Sequence, residues 1–174
     1  MNKIAALAVI LLFCVSCTKT VSPPSTFSKH GVSFSVPAGW KVTDEESFGE
    51  GIYYLSVEKA GFDSSGLITI LWIPGEMDLT EGIESHREEL RSNPMLKLSP
   101  PKFGEIHSCD FQGNQAETST YTMSLLGVAH TGQAWTFNQG DRYFLFVKQE
   151  ADEDHAENKA GFESIIESLE FSAE

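Results

Sequence analysis

His107 and Cys109 sit two residues apart in what reads as a strand, the nearest thing in this chain to a metal-ligand pair. Alternation puts both on one side, imidazole and thiol are donors that suit zinc, and His130 could approach them. A third and fourth ligand at workable spacing are missing, so no metal site is expected. Cys109 is expected to be a small buried hydrophobe, since Glu105 and Asp110 nearby oppose a thiolate. The acidic run Glu150 to Asp154 imitates a calcium loop in charge alone, lacking the glycine at its sixth position and the closing glutamate at its twelfth. Its expected role is helix initiation, with carboxylates accepting from free N–H groups in the first turn. His86 falls on a helix seam, where an edge histidine is expected and not a base. Serines are plentiful, yet no G-x-S-x-G elbow, phosphate-binding glycine loop, H-E-x-x-H or C-x-x-C occurs. These residues assign no catalytic group, metal or cofactor.

The strongest chemical signal is at Cys17. Met1 to Lys3 is a short basic start, Ile4 to Phe13 is an apolar run, and Val15 and Ser16 lead into the cysteine. The run is too short for a permanent membrane span, which needs about 20 residues. The pattern looks like a bacterial lipobox, in which a peptidase cuts before the cysteine and the thiol carries diacylglycerol; Cys14 stands where such motifs usually have leucine. Residues 1–16 are therefore expected to be a lipoprotein signal peptide, Cys17 the lipid attachment site, and 17–26 the lipidated N-terminus and tether. Residues 27–174 are expected to be one globular domain. Three acyl chains would hold such a protein stably on its membrane. Thr18 is not the aspartate of inner-membrane retention, so the expected location is the cell envelope, at the outer membrane facing the periplasm.

The 174 residues suit one domain with a real core, and 41% hydrophobic content is that of a globular chain. A net charge of −13 repels phosphate backbones, so nucleic acid is excluded as a partner, while a cationic protein fits. Once Cys14 leaves with the signal and Cys17 is acylated, Cys109 has no disulfide partner.

Several elements must position whatever site exists. Val32, Phe34 and Val36 alternate with serines, predicting the strand Gly31 to Val36 that begins the sheet and stops at Pro37. A strand from Trp40 follows, then Ile52 to Lys59, a turn at Asp63 to Gly66, and an apolar strand Leu67 to Ile73 covered on both faces. Asp78 to Glu81 has capping-box form and opens a helix over Leu79 to Ser92, with Leu79, Ile83, His86 and Leu90 on one stripe. Strands are predicted over Lys102 to Phe111, Gln115 to Leu126, Val128 to Asn138 and Arg142 to Gln149, joined in part by hairpins at Gly113 and Gly140. Thr118, Thr120, Thr122 and Ser124 give the second of these a polar face, solvent-washed or lightly covered. A closing helix spans Glu153 to Leu169, with Phe162, Ile165, Ile166 and Leu169 facing the core and Gly161 weakening its first half. Trp40, Trp72 and Trp135 read as core; Tyr53, Tyr121 and Trp135 could instead line a groove for a peptide or lipid.

The strand ending Pro37-Ala38-Gly39-Trp40, and the helix carrying Ile165, Ile166, Ser168, Leu169 and Phe171, resemble the PsbP-like superfamily. That group includes the oxygen-evolving PsbP proteins of photosystem II, a nuclear-import factor that binds the GTPase Ran, and bacterial envelope lipoproteins. The resemblance implies an α+β single domain, an antiparallel β-sheet flanked by helices in an α/β/α sandwich. It carries over no site residues, and fold alone does not fix function. It implies a non-enzymatic binding or assembly module; with the expected lipid at Cys17, the expected role is a membrane-anchored protein that binds a protein partner or supports assembly. An immunity or chaperone-like protein for a basic toxin, and a hydrolase with an unrecognised site, stand as alternatives.

Overall fold

A computed structural model of the protein describes residues 22–61 and 64–172. Cys17, the expected signal peptide and Asp63 of the expected turn lie outside these residues. In chain order the strands and helices are β1 (Ser25–Lys29), β2 (Val32–Val36), β3 (Trp40–Ser47), β4 (Tyr53–Lys59), β5 (Leu67–Pro74), α1 (Leu79–Ser92), β6 (Lys102–Phe103), β7 (His107–Phe111), β8 (Asn114–Leu125), β9 (Val128–Gln139), β10 (Arg142–Ala151), α2 (His155–Glu167) and β11 (Glu170–Phe171). Short 3-10 turns occupy Pro94–Leu96 and Asp152–Asp154.

The large sheet runs β3-β4-β5-β10-β9-β8, with β6 and β7 both paired along the outer edge of β8. Its pairings are antiparallel, as short hairpin turns at Gly113, Gly127 and Gly140 require. Alternation then sorts side chains between two faces. Leu55, Val57, Ile68, Ile70, Trp72, Phe137, Phe144 and Phe146 pack on one face against Val32, Phe34, Phe162 and Ile165. Tyr121, Met123, Ala134 and Val147 pack on the other against Ile83 of α1 and Leu96. Helices thus cover both faces, and the chain is the expected α+β sandwich.

The opening strand corrects one expectation. β2 does not begin the large sheet; it is the middle strand of a separate three-stranded sheet, β1-β2-β11, that lies with α2 over the aromatic face. β1 already takes up Ser25 and Thr26, inside the stretch expected to be tether. The pairing of Phe171 with Val32, and the hydrogen bond from Ser35 N to Ser168 Oγ at 2.9 Å, close the domain by joining its two ends. Arg142 adds to this closure, donating to the carbonyls of His30 at 2.8 Å and Ser172 at 2.6 Å.

Other differences are local. The predicted strand Lys102 to Phe111 breaks between β6 and β7, though Gly104 N still bonds Thr120 O at 2.8 Å. β5 is fully buried on one face alone: Ile68, Ile70 and Trp72 are sealed, while Leu67, Thr69 and Leu71 are half-buried beneath α1. α1 keeps its expected bounds because Asp78 accepts from Glu81 N at 2.9 Å and Pro94 cannot continue the ladder. The acidic run caps nothing with its side chains: α2 begins at His155, and Asp154 at its cap position makes no cap hydrogen bond.

Candidate functional site

Where the aromatic face runs out, the same strands turn polar. Along β9 and β10 the residues following Trp135 and Phe146 on that face are Gln133, Thr131, Lys148 and Glu150. With Thr120 of β8 they floor a depression of about 380 Å³, walled by Asp152 and His155 at the start of α2. Period-2 alternation is intact; a change in residue type ends the core and opens the surface. A second depression of about 220 Å³ adjoins it across β8, between Thr122, Ser124, Ala129 and the segment Ser99–Pro100. A third, of about 380 Å³, lies at the β8–β9 hairpin between Leu126, Val128 and the loop residues Ser64 and Ser65. Asp152 borders the first two, and His130 the last two.

The acidic run is tied into this region and not into the helix. Glu150, with a side chain only 6% exposed, lies 2.7 Å from His155 Nδ1 through Oε1. Its Oε2 is sealed from solvent without a hydrogen-bond partner. Thr131 Oγ1 donates to Asp152 at 2.8 Å, and Ser65 Oγ donates to Asp154 at 2.6 Å while accepting from Ala151 N at 2.8 Å. Lys148 Nζ sits 5.6 Å from the Phe162 ring centroid, a cation–π distance. The depression therefore offers hydroxyl and amide groups beside a buried carboxylate, which suits binding of a polar surface. His155→Ala would strand the Glu150 carboxylate without its partner, and is expected to destabilise the fold by about 1–3 kcal/mol. Urea denaturation checks this, with most of the loss recovered in a Glu150→Gln background.

A cleft of about 250 Å³ lies under α1, bordered by His86, Glu89, Tyr54, Leu71, Tyr121 and Gln149. Tyr121 Oη donates to Gln149 Oε1 at 3.0 Å; burial, then the Glu89 charge, pushes its phenol far above the ordinary value. The His86 imidazole beside Glu89, 3.7 Å away, holds that carboxyl below the usual range, outweighing its partial burial. The His86 ring lies edge-on to Tyr121 at 5.7 Å, and neither of its nitrogens is within hydrogen-bond distance of a partner. His86 is the expected seam residue.

His107 and Cys109 share a face of β7, but His130 does not approach them. His107 is exposed on β7 and Cys109 half-buried; burial, then Glu117 and Asp110, pushes the thiol up. His107 pairs with Thr118 and His130 with Met123, five residues along β8, roughly 17 Å apart at ~3.3 Å per residue. Among the described residues no group of three His, Cys, Asp or Glu side chains is placed to hold a metal. Trp40, Trp72 and Trp135 are buried, as expected. Tyr53, Tyr121 and Trp135 do not share a groove, because Tyr121 faces α1 while Trp135 and Tyr53 belong to the opposite layer. The polar face of β8 divides: Thr118 is buried, donating to Ala134 O at 2.8 Å, while Thr120, Thr122 and Ser124 border the depressions. The Glu150–His155 contact was missed in sequence, although polar residues at Gln133 and Lys148 after aromatic ones were its readable signal.

No family model matches the chain, and no curated protein matches it in sequence. Solved structures do match its fold. The solution structure of cyanobacterial PsbP (CyanoP) from Synechocystis sp. PCC 6803 superposes with a TM-score of 0.58 at 12% identity, over 93% of this chain and 99% of that one. LpqN of Mycobacterium tuberculosis, described as involved in cell envelope biogenesis, gives 0.53 at 16% identity, over 87% of each chain. A Bacteroides thetaiotaomicron protein gives 0.51 at 20% identity, over 86% of this chain and 48% of that one. The fold is PsbP-like.

Proposed function

We propose that this chain is a lipid-anchored envelope protein whose PsbP-like domain binds a protein partner without catalysing a reaction. The observation that carries the reading is the depression over Thr120, Gln133 and Glu150, adjoined at Asp152 by the second one along β8. Exposed hydroxyl and amide groups give such a surface hydrogen-bonding capacity, and a non-obligate protein interface is on the whole about as polar as the rest of a protein's surface. The lipobox at Cys17 supplies the anchor, and the envelope role described for LpqN supports the compartment. The outer membrane, periplasmic face, is the proposed location.

The test is photo-crosslinking in intact cells from a reactive residue at position 133, followed by mass spectrometry. A reproducible protein captured there, and not from position 41 on the far edge strand, is the expected result; equal or no capture would sink the reading. Cys17→Ala is expected to move most of the protein from the membrane to the soluble fraction. Unchanged membrane association would remove the anchor from the proposal.

The acidic balance supports a second reading, an immunity or chaperone-like protein for a basic toxin. Asp152, Glu153 and Asp154 stand beside the depressions, and the net charge is −13. A cationic partner would bind with affinity that falls steeply as salt rises.

A further inference from the structure

The described chain starts at Ser22, and its first contact fixes where a tether would leave the domain. Ser22 O accepts from Gly39 N at 2.9 Å, and Gly39 O accepts from Ala60 N at 2.6 Å. Ser64 Oγ bonds the Ala60 carbonyl at 3.5 Å, and Ser64 itself faces Leu126 and Val128 across the third depression. The tether therefore leaves at the same end of the large sheet as the β8–β9 hairpin, from its β3 edge, four strand spacings or roughly 19 Å from β9. Four residues, Thr18 to Val21, separate Ser22 from Cys17. Five extended steps reach at most about 18 Å. The opposite end of the sheet is roughly 36 Å away along the twelve residues of β9.

Apolar side chains stand at this same end. Leu126 is 94% exposed and Val128 39%, and Leu98, 100% exposed, precedes the Ser99–Pro100 wall of the second depression. Met95 is exposed on the turn whose Leu96 packs into the α1 layer. Such side chains, displayed within a short tether's reach of a bilayer, have an apolar phase to enter. Resting on the anchoring of Cys17 proposed above, we infer that Leu98, Leu126 and Val128 rest on the bilayer that holds the lipid, so that the domain stands on its hairpin end. The far turns, with Glu50 and Asp141, point away. Asp152, Glu153 and Asp154 near the contact favour a zwitterionic surface over an anionic one. The docking depression is then presented next to the membrane, and its partner must reach there.

The test uses the full lipidated chain, purified from membranes, in a Cys109→Ala background. Single cysteines, Leu98→Cys, Leu126→Cys and Glu50→Cys, carry an environment-sensitive fluorophore in vesicles of phosphatidylethanolamine and phosphatidylcholine. Labels at 98 and 126 are expected to shift to the blue and to be quenched severalfold more by doxyl-lipids than the label at 50. Adding phosphatidylglycerol is expected to weaken that quenching. Equal quenching at all three positions, or none at 98 and 126 with intact mass showing acylated Cys17, overturns the orientation and leaves the anchor standing. An unacylated Cys17 overturns the anchoring reading instead. Photo-capture of a protein in place of lipid at 126 would assign the hairpin to a partner and likewise overturn the bilayer contact.

Discussion

Phe144→Ala is expected to destabilise the fold by about 3–5 kcal/mol, the range for emptying a buried aromatic site. Phe144 is fully buried near the middle of the large sheet, where β10 lies between β5 and β9. Its ring stacks on Phe137 at 5.1 Å with planes 4° apart, and Phe171 meets its edge at 4.7 Å. Trp72 lies 6.3 Å away and the Arg142 guanidinium 5.4 Å. The truncation thus loosens the seat of β11 as well as the sheet, and neighbours held in hydrogen-bonded strands cannot collapse into the void. Domains of this kind are stable by roughly 5–15 kcal/mol, so the variant would lose a large share. Urea denaturation followed by tryptophan fluorescence reads the effect as a lower midpoint. Phe48→Ala is the control: that side chain is 62% exposed, and its loss is expected to stay within about 0.5 kcal/mol. A Phe144→Ala loss below about 1 kcal/mol would mean that the neighbours do collapse into the void.

Gly161→Ala tests a sign. Glycine inside a helix is disfavoured by roughly 1 kcal/mol relative to alanine, so propensity alone predicts stabilisation. Packing predicts the reverse. Gly161 is buried in α2 against Trp40, and a Cβ there would land on the indole. That indole cannot step aside, being 4% exposed and held edge-on by Phe162 at 5.1 Å. Overpacking of this sort costs about 1–3 kcal/mol, so a net loss of up to about 2 kcal/mol is expected after the propensity gain. Trp40→Phe, which removes the clashing atoms, should reduce the penalty of Gly161→Ala in a double-mutant cycle. A stabilised single variant would show that the α2 contact is looser than drawn.

Gly161 also marks how far the sequence could be read. Its helix, the strand at Trp40 and their apolar positions are plain in the periodicity, because 3.6- and 2-residue repeats are local facts. That Trp40 needs the absent side chain is a fact about two segments far apart, and no local pattern records it. The same limit explains the three-stranded sheet. Val32, Phe34 and Val36 announce a half-buried strand, but nothing near them says that β11 and not β3 is the partner. The depressions were half legible: Thr120, Thr122 and Ser124 read as a polar face, and His130 and the acidic run were noticed singly. What joined them was register, which pairs His130 with Ala151 and sets Gln133 against Lys148. The acidic run misled because carboxylates ahead of a helix suit its dipole, whereas here Thr131, Ser65 and His155 engage them first.

The closure of the small sheet has a consequence for how the chain is made. β2 is among the first segments to emerge from any N-terminus-first passage, and its partner β11 is among the last; Val32 waits for Phe171. Hydrophobic residues of β2 have no finished layer to enter until α2 and β11 arrive, and contacts of such long sequence separation form slowly. A chain emerging from its N-terminal side would thus stay unlocked until Phe171 is free to pair with Val32. Truncation from the C-terminal end should then be far more damaging than the few residues removed would suggest, since it takes away the clasp and leaves the cup.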